Sequence, residues 1–219
     1  MSPRRAAVLR VPGHDHDLTL REHLVASTEQ LLEGGSMGDL TTRAIARHAG
    51  VSDGVLYNHF ADKSELVLAA LLRRYGRLVE RLEAAAPVAG QGTVVANVQS
   101  YGRALSDVES DVLLHGAALL SHPELLHRFW SEIHRSPFGI DRLRRPLAGY
   151  LSEERRLGRA ADGLDVDAAV TVVFGVCAMV ALTRRLNPTA DRDGIARHLD
   201  AALATAVAGI AGVSAASDG

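Results

Sequence analysis

The chain has 219 residues and a formal net charge of −2 at neutral pH, with 47% of its residues hydrophobic and 23% charged. That balance supplies enough apolar side chains to offset the entropy of ordering a core, which excludes a disordered chain. The single cysteine, Cys177, excludes an intramolecular disulfide and fits a reducing compartment. Met1 to Val11 carries Arg4, Arg5 and Arg10 with no apolar core behind them, so no secretory segment is expected and the cytoplasm is the expected location.

Strand-like alternation is absent and helical periodicity recurs throughout, so the expected fold is all-α. Residues 1–17 read as an arm outside the fold. The first helix starts at Thr19, whose distance from Glu22 is that of a capping box; Leu24, Val25, Thr28, Leu31 and Leu32 form its stripe, and Gly34-Gly35 ends it. A short helix from Thr42 to Ala49 stops at Gly50, and a second runs from Asp53 to Phe60 with Ser52 as N-cap. A long helix opens at Asp62-Lys-Ser-Glu65, a second capping-box spacing, and runs to Pro87, with Leu68, Ala69, Leu72, Gly76, Val79 and Leu82 on one face.

The stretch from Pro87 to Gly92 is a linker between a small N-terminal module and a larger helical body; with the long helix counted as part of the body, the expected domains are 18–62 and 63–213. The body is expected to hold helices at 93–108, 109–121 and 123–157, the last interrupted near Pro137 and again at Pro146. Two more follow at 165–186 and 191–210, separated by Asn187-Pro188. The apolar run from Ala168 to Leu182 is shorter than the roughly 20 residues of a membrane span, so it reads as a buried helix and no membrane contact is expected. The last helix is amphipathic through Ile195, Leu199, Ala202, Leu203, Ala206, Val207 and Ile210.

Two short helices around a glycine outline a helix-turn-helix. Ala46 lies where they cross, Gly50 takes the left-handed turn conformation without steric cost, and Ile45, Val51 and Leu56 point inward. Thr42, Arg43, Ser52, Asp53, Gly54, Val55, Asn58 and His59 are left on an outer face polar enough to meet DNA. Residues 1–75 hold as many acidic as basic side chains, so any electrostatic footprint comes from placement. Lys63 is the only lysine in a chain whose other basic residues are all arginine.

The run from Leu40 to Leu66 joins Thr42-x-x-Ile45-Ala46, Ala49-Gly-Val-Ser52 and Gly54-x-Leu56-Tyr57-x-x-Phe60 to the following lysine, and over about residues 18–72 it resembles the TetR family of bacterial regulators. The resemblance implies a three-helix DNA-binding module joined by a long helix to a ligand-binding and dimerisation body. It places the helix 53–60 in the major groove with Ser52, Asp53, Gly54 and Val55 near base edges, and Arg43 as a second base reader. Tyr57, His59, Lys63 and Thr42 would contact phosphates, and Asn58 completes the DNA-facing set. Asp53 departs from a neutral or basic pattern; it either accepts from a cytosine amino group or stabilises the positive helix N-terminus.

The resemblance further implies a homodimer in which helices 165–186 and 191–210 form a four-helix bundle, for which Ala168, Ala169, Gly175, Ala178, Ala201, Ala202 and Ala206 permit close approach. Candidates to line a ligand cavity are Tyr101, His115, Leu119, Phe129, Trp130, His134, Phe138, Phe174 and Cys177, each of which has ordinary core packing as its alternative. Their chemistry points to a lipophilic, partly aromatic ligand. No nucleophile elbow, phosphate loop, dinucleotide fingerprint or His-Glu-x-x-His helix is present, and Glu124-x-x-His127 occurs without the second copy a dimetal site needs. No catalytic residue, metal or cofactor is therefore expected. The expected function is a repressor released from a palindromic operator in double-stranded DNA by a small lipophilic molecule. The rivals are a regulator of the same fold answering to a protein partner or to no inducer, and a helical metalloenzyme.

Overall fold

The computed structural model describes residues 20–34, 40–135, 139–187, 189 and 191–211. The arm 1–17, Thr19, Gly35, Pro137, Phe138 and Pro188 lie outside the described residues. Within them the chain is helical without strands: α1 (Leu20–Gly34), α2 (Thr42–Ala49), α3 (Asp53–His59), α4 (Lys63–Ala84), α5 (Val94–Leu120), α6 (Pro123–Arg135), α7 (Ile140–Arg156), α8 (Val166–Leu186) and α9 (Arg192–Ala211). They form two compact units that divide within α4, between Arg74 and Tyr75.

In the first unit α1 buries Leu24, Val25 and Leu32 beside Thr28, whose hydroxyl donates to the Leu24 carbonyl, while Leu31 is only half-buried. The carboxyl of Asp62 accepts from the Glu65 amide at 2.8 Å, as the capping box requires, but the Glu65 side chain reaches past Asp62 to the Ala61 amide at 2.7 Å. The buried positions of α4 are Leu66, Val67, Leu68, Ala70 and Leu71 in the first unit, and Tyr75, Leu78, Val79 and Leu82 in the second. Ala69 and Leu72, expected inside, are half-exposed. One helix serving two cores cannot keep one seam.

The second unit is built around α5, which is a single helix of 27 residues where two were expected. The polar run Ser106-Asp-Val-Glu-Ser110 suggests a break, but the Ser110 hydroxyl donates to the Ser106 carbonyl one turn back and Leu105 and Val108 stay buried, so the helix absorbs it. Thr93 caps it by accepting from the Ala96 amide. The expected interruption of 123–157 falls between Arg135 and Ile140, whereas Pro146 lies inside an unbroken α7. A proline there forfeits one backbone hydrogen bond at a cost of about 3 kcal/mol. Leu143 on the turn before it and Leu147, Tyr150 and Leu151 after it pack into one core, which holds the helix together across it.

The α7 end is tied to the linker by Glu154, which is fully buried: its carboxylate accepts from the Gly90 amide at 3.0 Å and lies 3.1 Å from Arg159 Nε. Gly102 lets α9 approach α5, since a Cβ there would collide with Leu203. Cys177 packs over the same spot, its thiol donating to the Gly102 carbonyl, and burial pushes it up to about 12.

α8 is capped by Asp165, which accepts from the Ala168 amide. At 21 residues, with a mean hydropathy of 2.1 over its most apolar 18, it is long and apolar enough, by length and composition alone, to cross a membrane, a test that the core helices of other proteins also meet. Ala169, Val170, Val173, Cys177, Val180 and Ala181 face the core, packed against α5, α7 and α9. The opposite side exposes Ala168, Val172, Gly175, Met179, Leu182 and Leu186, with Met179 62% and Leu186 76% exposed. Those six positions alternate in steps of four and three, one continuous helix face. In α9, Leu199, Leu203 and Val207 are buried, and Ile195, Ala202 and Ala206 are half-buried.

Candidate nucleic-acid interface

The residues before α2 set its direction. Thr41 is extended and its hydroxyl accepts from the Ala44 amide at 3.1 Å, so Thr41 is the N-cap and Thr42 the first helical residue. α2 buries Ile45, Ala46 and Ala49 and exposes Arg43 and Arg47 one turn apart. It ends in a Schellman arrangement: Gly50 sits at φ 69, ψ 27, its N–H donates to the Arg47 carbonyl at 3.3 Å, and the Val51 N–H donates to Ala46 at 2.9 Å.

The chain leaves that turn extended through Ser52 and enters α3, seven residues long, which holds to the unit by Leu56, with Phe60 buried just beyond its end. The Arg21 guanidinium lies over the Phe60 ring, 4.7 Å from its centroid. Ser52 has N-cap backbone geometry, but its side chain makes no capping bond, contrary to expectation. The hydroxyl is thereby left exposed and uncommitted. Asp53, Gly54, Tyr57 and Asn58 are exposed, and Val55 and His59 half-buried; Tyr57 is 59% exposed, which is incompatible with a core role for its ring.

Three contacts fix α2 against its neighbours. His23 Nε2 donates to the Ala49 carbonyl at 2.9 Å, His48 Nε2 donates to Gln30 at 2.9 Å, and Lys63 Nζ donates to the Leu40 carbonyl at 3.0 Å. Behind them α1 and α4 are joined by Arg74 and Glu33 at 2.6 Å, and by Arg73, 3.6 Å from the buried Glu29. The structure therefore gathers Thr42, Arg43, Ser52, Asp53, Gly54, Val55, Tyr57, Asn58, His59 and Lys63 on α2, α3 and the start of α4 within one unit. Sequence reasoning missed Thr41 as the cap and Arg47 as a second exposed guanidinium; the i, i+4 spacing of Arg43 and Arg47 was the available signal.

Of the expected ligand-lining residues, Tyr101, Cys177 and Phe174 meet in one apolar cluster of the second unit. Tyr101, Leu119 and Cys177 are buried on α5 and α8, with burial raising the Tyr101 phenol far above its usual range, and Phe174 is half-buried near Arg144. A separate aromatic ladder runs along α6: Phe129 meets Tyr75 edge-on at 6.1 Å and Trp130 at 5.6 Å, and Trp130 meets His134 at 6.3 Å. Trp130 is 37% exposed and His134 is also exposed, so this ladder leads out of the core and neither residue is enclosed. His115 belongs to the α5 backbone, with its side chain outside the described residues, as is Phe138. Two buried hydroxyls missed by sequence reasoning, Tyr75 Oη and Ser106 Oγ, have no hydrogen-bond partner, and burial pushes the Tyr75 phenol up to about 12. No group of three His, Cys, Asp or Glu side chains suited to a metal ion occurs among the described residues.

Residues 24–70 match the family model described as bacterial regulatory proteins, tetR family. The fatty acid metabolism regulator protein of Bacillus subtilis is 25% identical over 169 residues, 74% of this chain and 81% of its own length. Among solved structures, a TetR-family transcriptional regulator from Mesorhizobium loti superposes with a TM-score of 0.70 at 20% identity, covering 86% of this chain and 95% of its own. The FadR regulator of Bacillus subtilis, in complex with stearoyl-CoA, superposes with a TM-score of 0.58 at 21% identity, covering 86% of this chain and 98% of its own.

A Cβ at Gly50 would meet no atom within 4 Å, so Gly50→Ala tests backbone conformation alone. Forcing an L-residue to the observed positive φ costs about 1–2 kcal/mol, and chemical denaturation should show a loss of that size. An unchanged midpoint would mean that the turn relaxes to a different geometry.

Proposed function

We propose, from the match of residues 24–70 to the tetR family of bacterial regulatory proteins, that the chain is a cytoplasmic, dimeric repressor of that family that leaves its operator when a small lipophilic molecule binds its body. The observation that carries the DNA-binding half is the outer face of α3, where an uncommitted Ser52 hydroxyl, Gly54 and a largely exposed Tyr57 project from a rigidly turned helix pair. Residues 18–62 form the DNA-binding domain and 63–213 the ligand-binding and dimerisation domain in this reading. Ser52, Asp53, Gly54, Val55 and Asn58 face base edges together with Arg43, while Thr42, Tyr57, His59 and Lys63 hold phosphates.

The dimer is supported by the exposed stripe of α8. Its heptad-like steps describe a seam for another helix. A bilayer would have to meet the whole circumference of α8, and the inner half is already packed against α5, α7 and α9. A ligand in the body is supported by the unpartnered hydroxyls of Tyr75 and Ser106, since buried polar groups are nearly always satisfied by protein, water or ligand. Stearoyl-CoA, held by the FadR relative in structure, is the first probe to test. The full packing around Tyr101 and Cys177 favours the second reading, a regulator of this fold without an inducer.

Operator fragments selected from genomic DNA provide the substrate for three tests. Lys63→Ala and Tyr57→Phe should weaken binding to all sequences alike, and Arg43→Ala should also relax preference at one position per half-site, because phosphate contacts position and base contacts specify. Losing one phosphate contact per subunit should shallow the salt dependence of the dimer by about two units of slope; a Lys63→Ala variant with intact affinity and slope would remove that residue from the interface.

Gly175 is exposed and has open space around it, so Gly175→Arg leaves the protomer undisturbed and reports on a partner alone. Burying its unpaired charge in an interface costs several kcal/mol, and sedimentation should show monomers; an unchanged dimer would place the interface elsewhere.

For the ligand, titration of stearoyl-CoA with and without operator should show operator weakening ligand binding by the same factor by which ligand weakens operator binding, as linkage demands. Tight ligand binding indifferent to operator would contradict an inducer role, and no binding of any acyl thioester or other lipophile would favour the inducer-free reading.

A further inference from the structure

A cleft of about 260 Å³ opens in the second unit where the end of α8 meets the start of α9, beside the middle of α5. Three guanidinium groups line it, from Arg184, Arg185 and Arg192, and no carboxylate does. Arg184 is engaged by Asp107 at 3.1 Å. Arg185 and Arg192 have no acidic partner among the described residues, and the nearby Asp191 is committed to Arg197 at 3.4 Å and to the Asp193 amide.

The fold explains only part of this charge. Arg184 and Arg185 occupy the last turn of α8, where cations complement the negative end of a helix. Arg192 opens α9, where a cation is disfavoured by the positive end. Something other than helix stability therefore accounts for a third guanidinium facing the same cleft.

The remaining walls define the rest of the occupant. Ala181 and Ile195 supply apolar surface, and the Asn187 side chain, whose oxygen accepts from Thr189, has its amide protons to offer. Ser110 supplies no donor, because its hydroxyl proton is given to the Ser106 carbonyl. We propose that this cleft binds a small amphipathic anion, a carboxylate or phosphate monoester with a short aliphatic group, its oxyanion held by Arg185 and Arg192 and its carbon chain laid on Ala181 and Ile195. The volume lies below the roughly 300–1,000 Å³ of pockets that enclose drug-sized ligands, so the occupant is a compact molecule or the head of a longer one. This site is distinct from the DNA-facing surface and does not depend on the repressor reading.

The test is calorimetric titration of the full chain, without DNA and at low salt, with hexanoate, hexyl phosphate, inorganic phosphate and hexanol. At least one of the two organic anions should bind saturably and more tightly than inorganic phosphate, with hexanol silent; which of them binds better separates a carboxylate from a phosphate ligand. Because guanidinium-to-oxyanion hydrogen bonds are charge-assisted, the Arg185→Ala, Arg192→Ala double variant should bind about tenfold more weakly or worse. Both side chains are exposed, so its melting temperature and helical circular dichroism should match the parent and certify the fold. Failure of both organic anions to bind, or equal affinity in the parent and the double variant, would overturn the proposal.

Discussion

The left-handed backbone at Gly50 governs the outer face of α2 and α3, the proposed DNA-contacting surface. A helix leaves its last carbonyls without partners, and the chain must both satisfy them and change direction within two residues. At φ 69 the Gly50 and Val51 amides return to Arg47 and Ala46, and the chain leaves extended into Ser52. Leu56 and Phe60 then anchor α3 from behind. Since α3 spans only two turns it has little stability of its own, and its outer face is only as well defined as the turn that launches it.

A second constraint shapes the body. α8 is the most apolar helix of the chain, yet only a third of its most apolar stretch is buried in the monomer. Its inner face closes the core over α5, where the buried Cys177 thiol donates to the Gly102 carbonyl. The outer face keeps an apolar seam of Val172, Met179, Leu182 and Leu186 in solvent. An exposed seam of that regularity carries a cost that a monomer has no reason to bear, which is the physical ground for placing the proposed subunit contact there.

How much of this was legible in the sequence depends on how local each signal was. α2 was read at Thr42–Ala49 because a glycine stop and a threonine start lie within ten residues of each other. α5 was read as two helices because polar side chains at 106–110 mimic a boundary; only their packing on α8 and α9 reveals a continuous rod. Pro146 was read as a break because propensity is blind to the burial of Leu147 and Leu151 around it. Only part of the proposed ligand set, Tyr101, Cys177 and Phe174, meets in one cluster, for a related reason: aromatic content along the chain says nothing about which side of α6 faces in, and Trp130 and His134 turn out. The arginine cleft was illegible, since its walls come from three helices and its charges are separated by seven residues at the nearest α8-to-α9 spacing, Arg185 to Arg192.

Lys63 shows how a residue singled out by composition acquires a physical reason. Its ammonium donates to the Leu40 carbonyl, 23 residues away, just before the cap of α2. That carbonyl is met by a compact point donor, which a planar guanidinium with its fixed fork does not reproduce, so lysine and arginine are not equivalent there. The contact uses one of three ammonium protons, and the residue is exposed. Lys63 is thus held in place by the chain with two protons left to donate. A phosphate meeting it would find a cation whose rotamer entropy is already largely spent, which is the condition under which a single charge contributes most to binding.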